Sequence, residues 1–129
     1  MMQEAIRNFA KQFEFNPKVE NKNRLARAER FIVLGMGGSH LAADLITCSS
    51  PDIDLLVYRD YGLPALSDAI LKKSLIIASS YSGNTEEVLD GYTKAREKGF
   101  PLAVVSVGGK LLKLARADGV PCVEMPDTG

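Results

Sequence analysis

The sequence has few of the residues that metal centres and disulfide frameworks require. It contains one histidine and two cysteines, and the two cysteines lie far apart in apolar stretches. Because a transition-metal site needs several such ligands at short spacing, no metal site is predicted. We interpret Cys48 and Cys122 as reduced core residues, with a disulfide as the alternative. The chain is therefore expected to use neither a metal nor another cofactor.

The sequence also lacks an excess of one charge and any long apolar run. Sixteen basic and sixteen acidic residues give a formal net charge of zero, and no basic run stands out. These features argue against binding to nucleic acid. No apolar run approaches the length of a membrane span, and the first residues have no signal-peptide core. We therefore expect a cytoplasmic protein with no membrane partner.

What the sequence does contain is an alternation of short apolar runs and helical patterns. The runs show no period of two, as is typical of parallel strands that are covered on both faces. They predict five strands: Arg30–Leu34, Asp54–Tyr58, Leu75–Ala78, Leu102–Val107 and Val120–Val123. Such alternation predicts an α/β fold, a three-layer α/β/α sandwich around a five-stranded parallel sheet of flavodoxin-like order 2-1-3-4-5.

Residues 1–29 form a lead-in to this predicted domain, which spans residues 30–129. Apolar residues at helical spacing predict an amphipathic helix over Gln3–Phe15, and Asn16-Pro17 ends it. The charged stretch that follows, residues 18–29, has room for a short helix. It is either a solvated face or a surface for a partner.

The most informative stretch is the polar turn between the third strand and its helix. Ser80, Ser82 and Thr85 place three hydroxyls beside the first helical amides, and Gly83 lets the backbone turn tightly. Asn84 and Glu87 have the spacing of a capping box. Free amides at the positive end of a helix, together with hydroxyls, predict a site for a small phosphate ester. The alternative is an ordinary helix cap with solvated hydroxyls.

A second glycine-rich turn follows the first strand, in the order Gly35-Met36-Gly37-Gly38-Ser39-His40. In a sheet of order 2-1-3-4-5 the first and third strands are neighbours, and the chain reverses its winding between them. Ligands of such sheets bind at the carboxyl ends of the strands at this position. We therefore expect the two turns to face one crevice.

The first turn also allows a dinucleotide-binding interpretation. Gly35 and Gly37 match the opening of the dinucleotide fingerprint, and Asp60 follows the second strand, where a ribose-binding acid would lie. The third fingerprint glycine is replaced by His40, which weakens this alternative. His40 itself is either an acid–base or sugar-contacting residue or an ordinary residue in the first turn of a helix.

Together these motifs resemble a sugar isomerase (SIS) domain. The resemblance is carried by Gly35-Met36-Gly37-Gly38-Ser39 and by Ser80-Tyr81-Ser82-Gly83-Asn84-Thr85. Arg59-Asp60-Tyr61-x-Leu63-Pro64 makes the chain most similar to the N-terminal SIS domain of the bifunctional phosphoglucose/phosphomannose isomerase family. The similarity extends from the first helix to the fifth strand.

This resemblance implies a sugar-phosphate site and an isomerase reaction. By it, Ser80, Ser82 and Thr85 would hold the phosphate, and Gly37, Gly38 and Ser39 would line the sugar. The family interconverts glucose or mannose 6-phosphate and fructose 6-phosphate by ring opening and proton transfer through an enediol(ate). That chemistry needs a base and a charge stabiliser.

The chain departs from the family in length. Family members normally have two SIS domains, with the catalytic arginine shortly after the fifth strand and the glutamate and histidine in the second domain. The sequence ends at Gly129, so we expect an N-terminal half that binds the phosphate but lacks most of the catalytic groups. Its expected partner is a second SIS domain or a second copy, through an apolar face that includes Phe9, Phe13 and Phe15. A non-catalytic sugar-phosphate sensor is the other interpretation.

Overall fold

The computed structural model describes residues 19–25, 28, 30–35 and 54–125. The strands are β1 (Val19–Glu20), β2 (Arg30–Leu34), β3 (Asp54–Tyr58), β4 (Ser74–Ser80), β5 (Leu102–Ser106) and β6 (Cys122–Glu124). The helices are α1 (Asp68–Lys72), α2 (Glu86–Lys98) and α3 (Gly109–Asp118), with a 3-10 helix at Lys22–Arg24. The predicted helix over residues 3–15 with its apolar face, residues 36–40 and Cys48 lie outside the described residues.

The strands form a single sheet of order β1-β6-β5-β4-β2-β3. The five strands from β2 to β6 are parallel and have the relative order predicted from the sequence. The prediction of a wholly parallel, five-stranded sheet was wrong, because β1 adds a sixth strand that runs antiparallel to β6. β1 has two residues, too few for any hydrophobic period to reveal it.

Contacts with distant residues explain why this two-residue strand forms in the charged lead-in. Glu20 accepts hydrogen bonds from the Arg116 guanidinium, the shortest at 2.9 Å from Nη2. Asn21 donates from its side-chain amide to the carbonyl of Val120 at 3.2 Å. Part of the charged stretch is thus an edge of the sheet that is tied to the end of α3.

Side chains alternate between the two faces of the sheet, and each face carries buried residues. One face packs against all three described helices and holds the larger part of the core, namely Ile32, Leu34, Leu71, Ile76, Ala78, Val88, Tyr92, Ala95, Phe100, Leu102, Val104, Leu111, Leu112, Ala115, Val120 and Cys122. The other face carries Val33, Leu75 and Ile77. Val33 is fully buried, whereas other residues on this face are only partly buried, namely Phe31, Leu55, Val57, Ala103 and Val105. The helices predicted over it lie outside the described part of the chain.

The helix α2 packs into the larger part of the core through one buried stripe. Val88, Tyr92 and Ala95 recur at helical spacing and are almost fully buried. The hydroxyl of Tyr92 donates to Asp118 Oδ2 at 2.6 Å, which satisfies this buried group and links α2 to α3. As predicted, α2 ends at Gly99, whose φ of 71° is the left-handed conformation that glycine adopts without strain.

Candidate functional site

The polar turn predicted from the sequence connects the carboxyl end of β4 to α2. Gly83 adopts a φ of 78°, the left-handed conformation expected of it. Ser80 is buried at the last position of β4, and its hydroxyl oxygen accepts from the Gly83 amide at 3.0 Å. The same oxygen lies 2.8 Å from the Thr85 hydroxyl oxygen. The two hydroxyls therefore stabilise the turn by hydrogen bonds within it.

The hydrogen-bond inventory of the turn leaves donors for a ligand. Ser80 and Thr85 carry two hydroxyl protons, and their mutual hydrogen bond uses one of them. Ser82 is exposed, and its hydroxyl oxygen accepts from the Asn84 amide at 3.1 Å. Within the described residues, the proton of this hydroxyl has no acceptor. Counting only the described part of the chain, two hydroxyl protons are left for donation to an anion beside the turn.

The first amides of α2 add further donors. Thr85 is the N-cap residue, and its side chain makes no capping hydrogen bond to the helix. The first bond of the helix runs from the Leu89 amide to the Thr85 carbonyl at 2.9 Å. The amides of Glu86, Glu87 and Val88 precede it and have no acceptor within the helix. They point toward the side of the turn at the positive end of the helix dipole.

The capping box predicted from Asn84 and Glu87 was wrong. The side-chain oxygen of Asn84 accepts from the amide of Lys110, at the start of α3, at 3.1 Å. The Gly83 carbonyl accepts from the amide of Leu111 at 2.9 Å. The spacing of Asn84 and Glu87 fits a local cap, but the side chain is used by a helix that lies far along the sequence. The turn before α2 thus caps α3.

The two loops at the carboxyl edge are consequently in close contact. A β-carbon on Gly83 would lie 1.7 Å from the Gly108 carbonyl oxygen, and one on Gly109 would lie 2.3 Å from the Ser82 carbonyl oxygen. Ser106 fixes the second loop, since its hydroxyl donates to the Gly108 carbonyl at 2.9 Å. The turn before α2 therefore packs directly against the loop that precedes α3.

A third loop, residues 59–64, lies against the first turns of α2. The Tyr61 hydroxyl donates to Glu86 Oε2 at 3.1 Å. Hydrogen bonding to Glu86, with the negative charge of Glu87 beside it, raises the pKa of Tyr61. Sequence reasoning used Tyr61 only as part of the family motif. A hydrogen bond across 25 residues leaves no local pattern that could have revealed it.

The remaining predicted site residues are placed as follows. Gly37, Gly38, Ser39 and His40 lie outside the described residues. The last residue of β2, Leu34, pairs with Ala78 in the neighbouring strand β4, two residues before Ser80. Asp60 is exposed, and its carboxylate accepts from the Tyr61 amide at 2.7 Å. This hydrogen bond to the next residue is a local turn.

The described residues offer neither a metal-binding cluster nor a helix that could span a membrane. They contain no group of three or more acidic, histidine or cysteine side chains that could hold a metal ion. Every helix in this part of the chain is too short or too polar to cross a membrane. Cys122 is buried and is not in a disulfide, and burial raises the pKa of its thiol.

Comparisons with known proteins give both sequence relatives and a structural neighbour. The chain is 35% identical over 132 residues to a bifunctional phosphoglucose/phosphomannose isomerase of Caldicellulosiruptor bescii, which covers 97% of this chain and 38% of that protein. It is 32% identical over 100 residues to a D-glucosamine-6-phosphate 4-epimerase of Sulfolobus acidocaldarius, covering 77% of this chain and 31% of that protein. The chain thus spans well under half the length of these relatives.

A solved structure supports the fold. The Vibrio vulnificus NanR protein in complex with ManNAc-6P superposes with a TM-score of 0.62 at 16% sequence identity, over 98% of this chain and 49% of that one. No family profile matches the chain. The sequence relatives confirm the resemblance seen in the sequence: over most of its length this chain is similar to bifunctional phosphoglucose/phosphomannose isomerases, at 29–37% identity.

Proposed function

We propose that this chain binds the phosphate of a sugar phosphate at the turn formed by Ser80, Ser82, Gly83 and Thr85. The observation that carries the proposal is a set of donors that have no acceptor among the residues that the structure describes. The Ser82 hydroxyl and the first amides of α2 converge after the central strand, at the edge where parallel sheets bind ligands. A phosphate presents three oxygen acceptors to such donors.

The reaction proposed for the whole protein is aldose–ketose isomerisation between glucose or mannose 6-phosphate and fructose 6-phosphate. Sequence similarity to several bifunctional phosphoglucose/phosphomannose isomerases supports this substrate class. In this proposal the turn anchors the phosphate and thereby orients C1 and C2 of the open sugar. Gly37, Gly38 and Ser39 are proposed to line the sugar from the neighbouring turn.

The proposal assigns binding to this chain and leaves most of the catalysis to other residues. The chain matches 38% of the length of the C. bescii relative, so a single SIS domain is proposed here. Glu86 and Glu87 lie in the first turn of α2, where carboxylates stabilise the helix dipole, and neither is proposed as the catalytic base. A second SIS domain or a second copy of the chain is the proposed source of the missing groups.

Calorimetric titration with fructose 6-phosphate tests the proposed site. Replacing Ser82 or Thr85 by alanine removes a hydrogen bond to a charged oxygen, worth about 1.5–3 kcal/mol, or roughly ten- to a hundredfold in affinity. Thr93→Ala is the matched control, because Thr93 lies on the same helix and bonds only the Leu89 carbonyl. Unchanged affinity in both turn variants would refute the assignment.

Further binding and activity measurements separate the alternative functions. Binding of NAD(H) without binding of sugar phosphates would favour the dinucleotide interpretation. A coupled assay of the purified chain should show negligible interconversion of glucose 6-phosphate and fructose 6-phosphate. Turnover that His40→Ala abolishes would show instead that this chain carries its own acid–base residue. A full-length protein that binds sugar phosphates without turnover would be a sensor.

A further inference from the structure

The loop of residues 59–64 is fixed against α2 by close backbone contact. A β-carbon on Gly91 would lie 2.8 Å from the Gly62 carbonyl oxygen, so the loop reaches the helix only because residue 91 is glycine. The Tyr58 hydroxyl donates to the Tyr61 carbonyl at 3.2 Å and holds the loop from the strand side. The contact with Gly91 and the hydrogen bond from Tyr58 therefore fix the backbone of Tyr61 relative to α2.

Tyr61 uses this position to bind the carboxylate of the first residue of α2. Its ring is half exposed, so burial of apolar area does not explain its placement. Its hydroxyl donates to Glu86 Oε2 at 3.1 Å. Glu86 is itself exposed and its side chain has no salt bridge in the described residues, so Tyr61 is what orients it.

A carboxylate at this position competes with an external anion. The positive end of the helix dipole and the free amides attract the Glu86 carboxylate as they would attract a phosphate. A carboxylate that moved over the amides would occupy donors and repel a phosphate. A carboxylate held against the 59–64 loop leaves the amides of Glu86, Glu87 and Val88 available.

We infer that Tyr61 is a positioning residue for the phosphate site, holding the Glu86 carboxylate against the 59–64 loop and away from the α2 amides. This inference rests on the proposed function. It assigns a role in phosphate affinity to a residue outside the turn, acting through another side chain. The ligand concerned is a phosphate monoester or inorganic phosphate.

A double-mutant cycle tests the inference, with inorganic phosphate as the probe in calorimetric titration. Tyr61→Phe should lower phosphate affinity about fivefold, the size expected of one exposed charge interaction. Glu86→Gln should leave affinity equal to or above that of the unaltered chain. In the Glu86→Gln background, Tyr61→Phe should have a clearly smaller effect, because only the charge of Glu87 is then left beside the Tyr61 hydroxyl. A merely structural role of Tyr61 would give the same loss in both backgrounds and overturn the inference.

Ionic strength and a control variant sharpen this cycle. The fivefold loss should shrink as salt is raised, since salt screens interactions between exposed charges. Glu97→Gln makes the same charge change at the far end of α2 and should leave the effect of Tyr61→Phe intact. If Ser82→Ala weakens phosphate binding and Tyr61→Phe does not, the proposed function stands and this inference fails. If neither variant weakens binding, both the proposed function and this inference fail.

Discussion

The starts of α2 and α3 are equivalent in the topology but differ in how their amides are satisfied. Each helix follows a parallel strand at the same edge of the sheet, after a turn that contains glycine. The first amides of α3 are bonded by Gly83 and Asn84 of the neighbouring turn. The first amides of α2 have no such cap from the described residues. The turn before α2 therefore caps the start of α3 and leaves the amides at the start of α2 available to a ligand.

The largest loss of stability is expected when the turn before α2 cannot form. Gly83→Ala puts a β-carbon 1.7 Å from the Gly108 carbonyl oxygen at a φ of 78°. Backbone strain and overpacking should together cost roughly 3 kcal/mol in the free energy of unfolding. Urea unfolding followed by circular dichroism measures this loss.

Gly99→Ala is the control for Gly83→Ala. Gly99 has a similar φ of 71°, but nothing lies within 4 Å of the added β-carbon. Its cost should be the left-handed penalty alone, about 1 kcal/mol. Equal losses in the two variants would show that the contact between the two loops contributes nothing to stability.

A smaller effect is expected when only the cap of α3 is removed. Asn84→Ala leaves the Lys110 amide without its acceptor and should cost about 1 kcal/mol in the free energy of unfolding. Asn84→Asp retains an acceptor oxygen and should recover this stability, while its added charge weakens phosphate binding. If Asn84→Asp were as unstable as Asn84→Ala in urea, the hydrogen bond to the Lys110 amide would not explain the stability that Asn84 contributes.

The smallest effect is expected at the opposite end of α3, where Glu20 bonds Arg116. The hydrogen bond from Arg116 holds the pKa of Glu20 below its ordinary value of 4.5. Because the folded pKa is the lower one, the pair stabilises the fold above pH 4.5 and loses this contribution as pH falls through the folded value.

Glu20→Gln should therefore lower the urea midpoint slightly at pH 7, and the difference from the unaltered chain should vanish in acid. Phosphate affinity should stay unchanged, because Glu20 pairs with the last strand and not with the turn. A difference that grew in acid, or a change in phosphate affinity, would contradict this account of the two ends of α3.

The sequence predicted those features whose causes are local or repeated. The bounds of β2 and β3 follow from apolar runs in a parallel sheet, and Gly83 and Gly99 follow from the backbone conformations they adopt. The polar turn was found because its hydroxyls cluster directly after a buried strand.

The features that the sequence did not reveal depend on partners distant in the chain. β1 forms through pairing with β6, which is about a hundred residues away and cannot be inferred from two residues. Asn84 has the spacing of a local cap, yet it bonds α3. Tyr61 reaches Glu86 only because a loop and a helix meet at Gly91. Each of these was set by tertiary contact, which overrides a local pattern.

The most direct test of the central claim is an amide NMR titration of the isotopically labelled chain with inorganic phosphate. If the start of α2 is the open one, the amides of Ser82 and of Glu86–Val88 should show the largest saturable shifts. The amides of Lys110 and Leu111 should shift less, because Asn84 and Gly83 already occupy them. Largest shifts at Lys110 and Leu111, or no saturable shift at either helix start, would contradict the account.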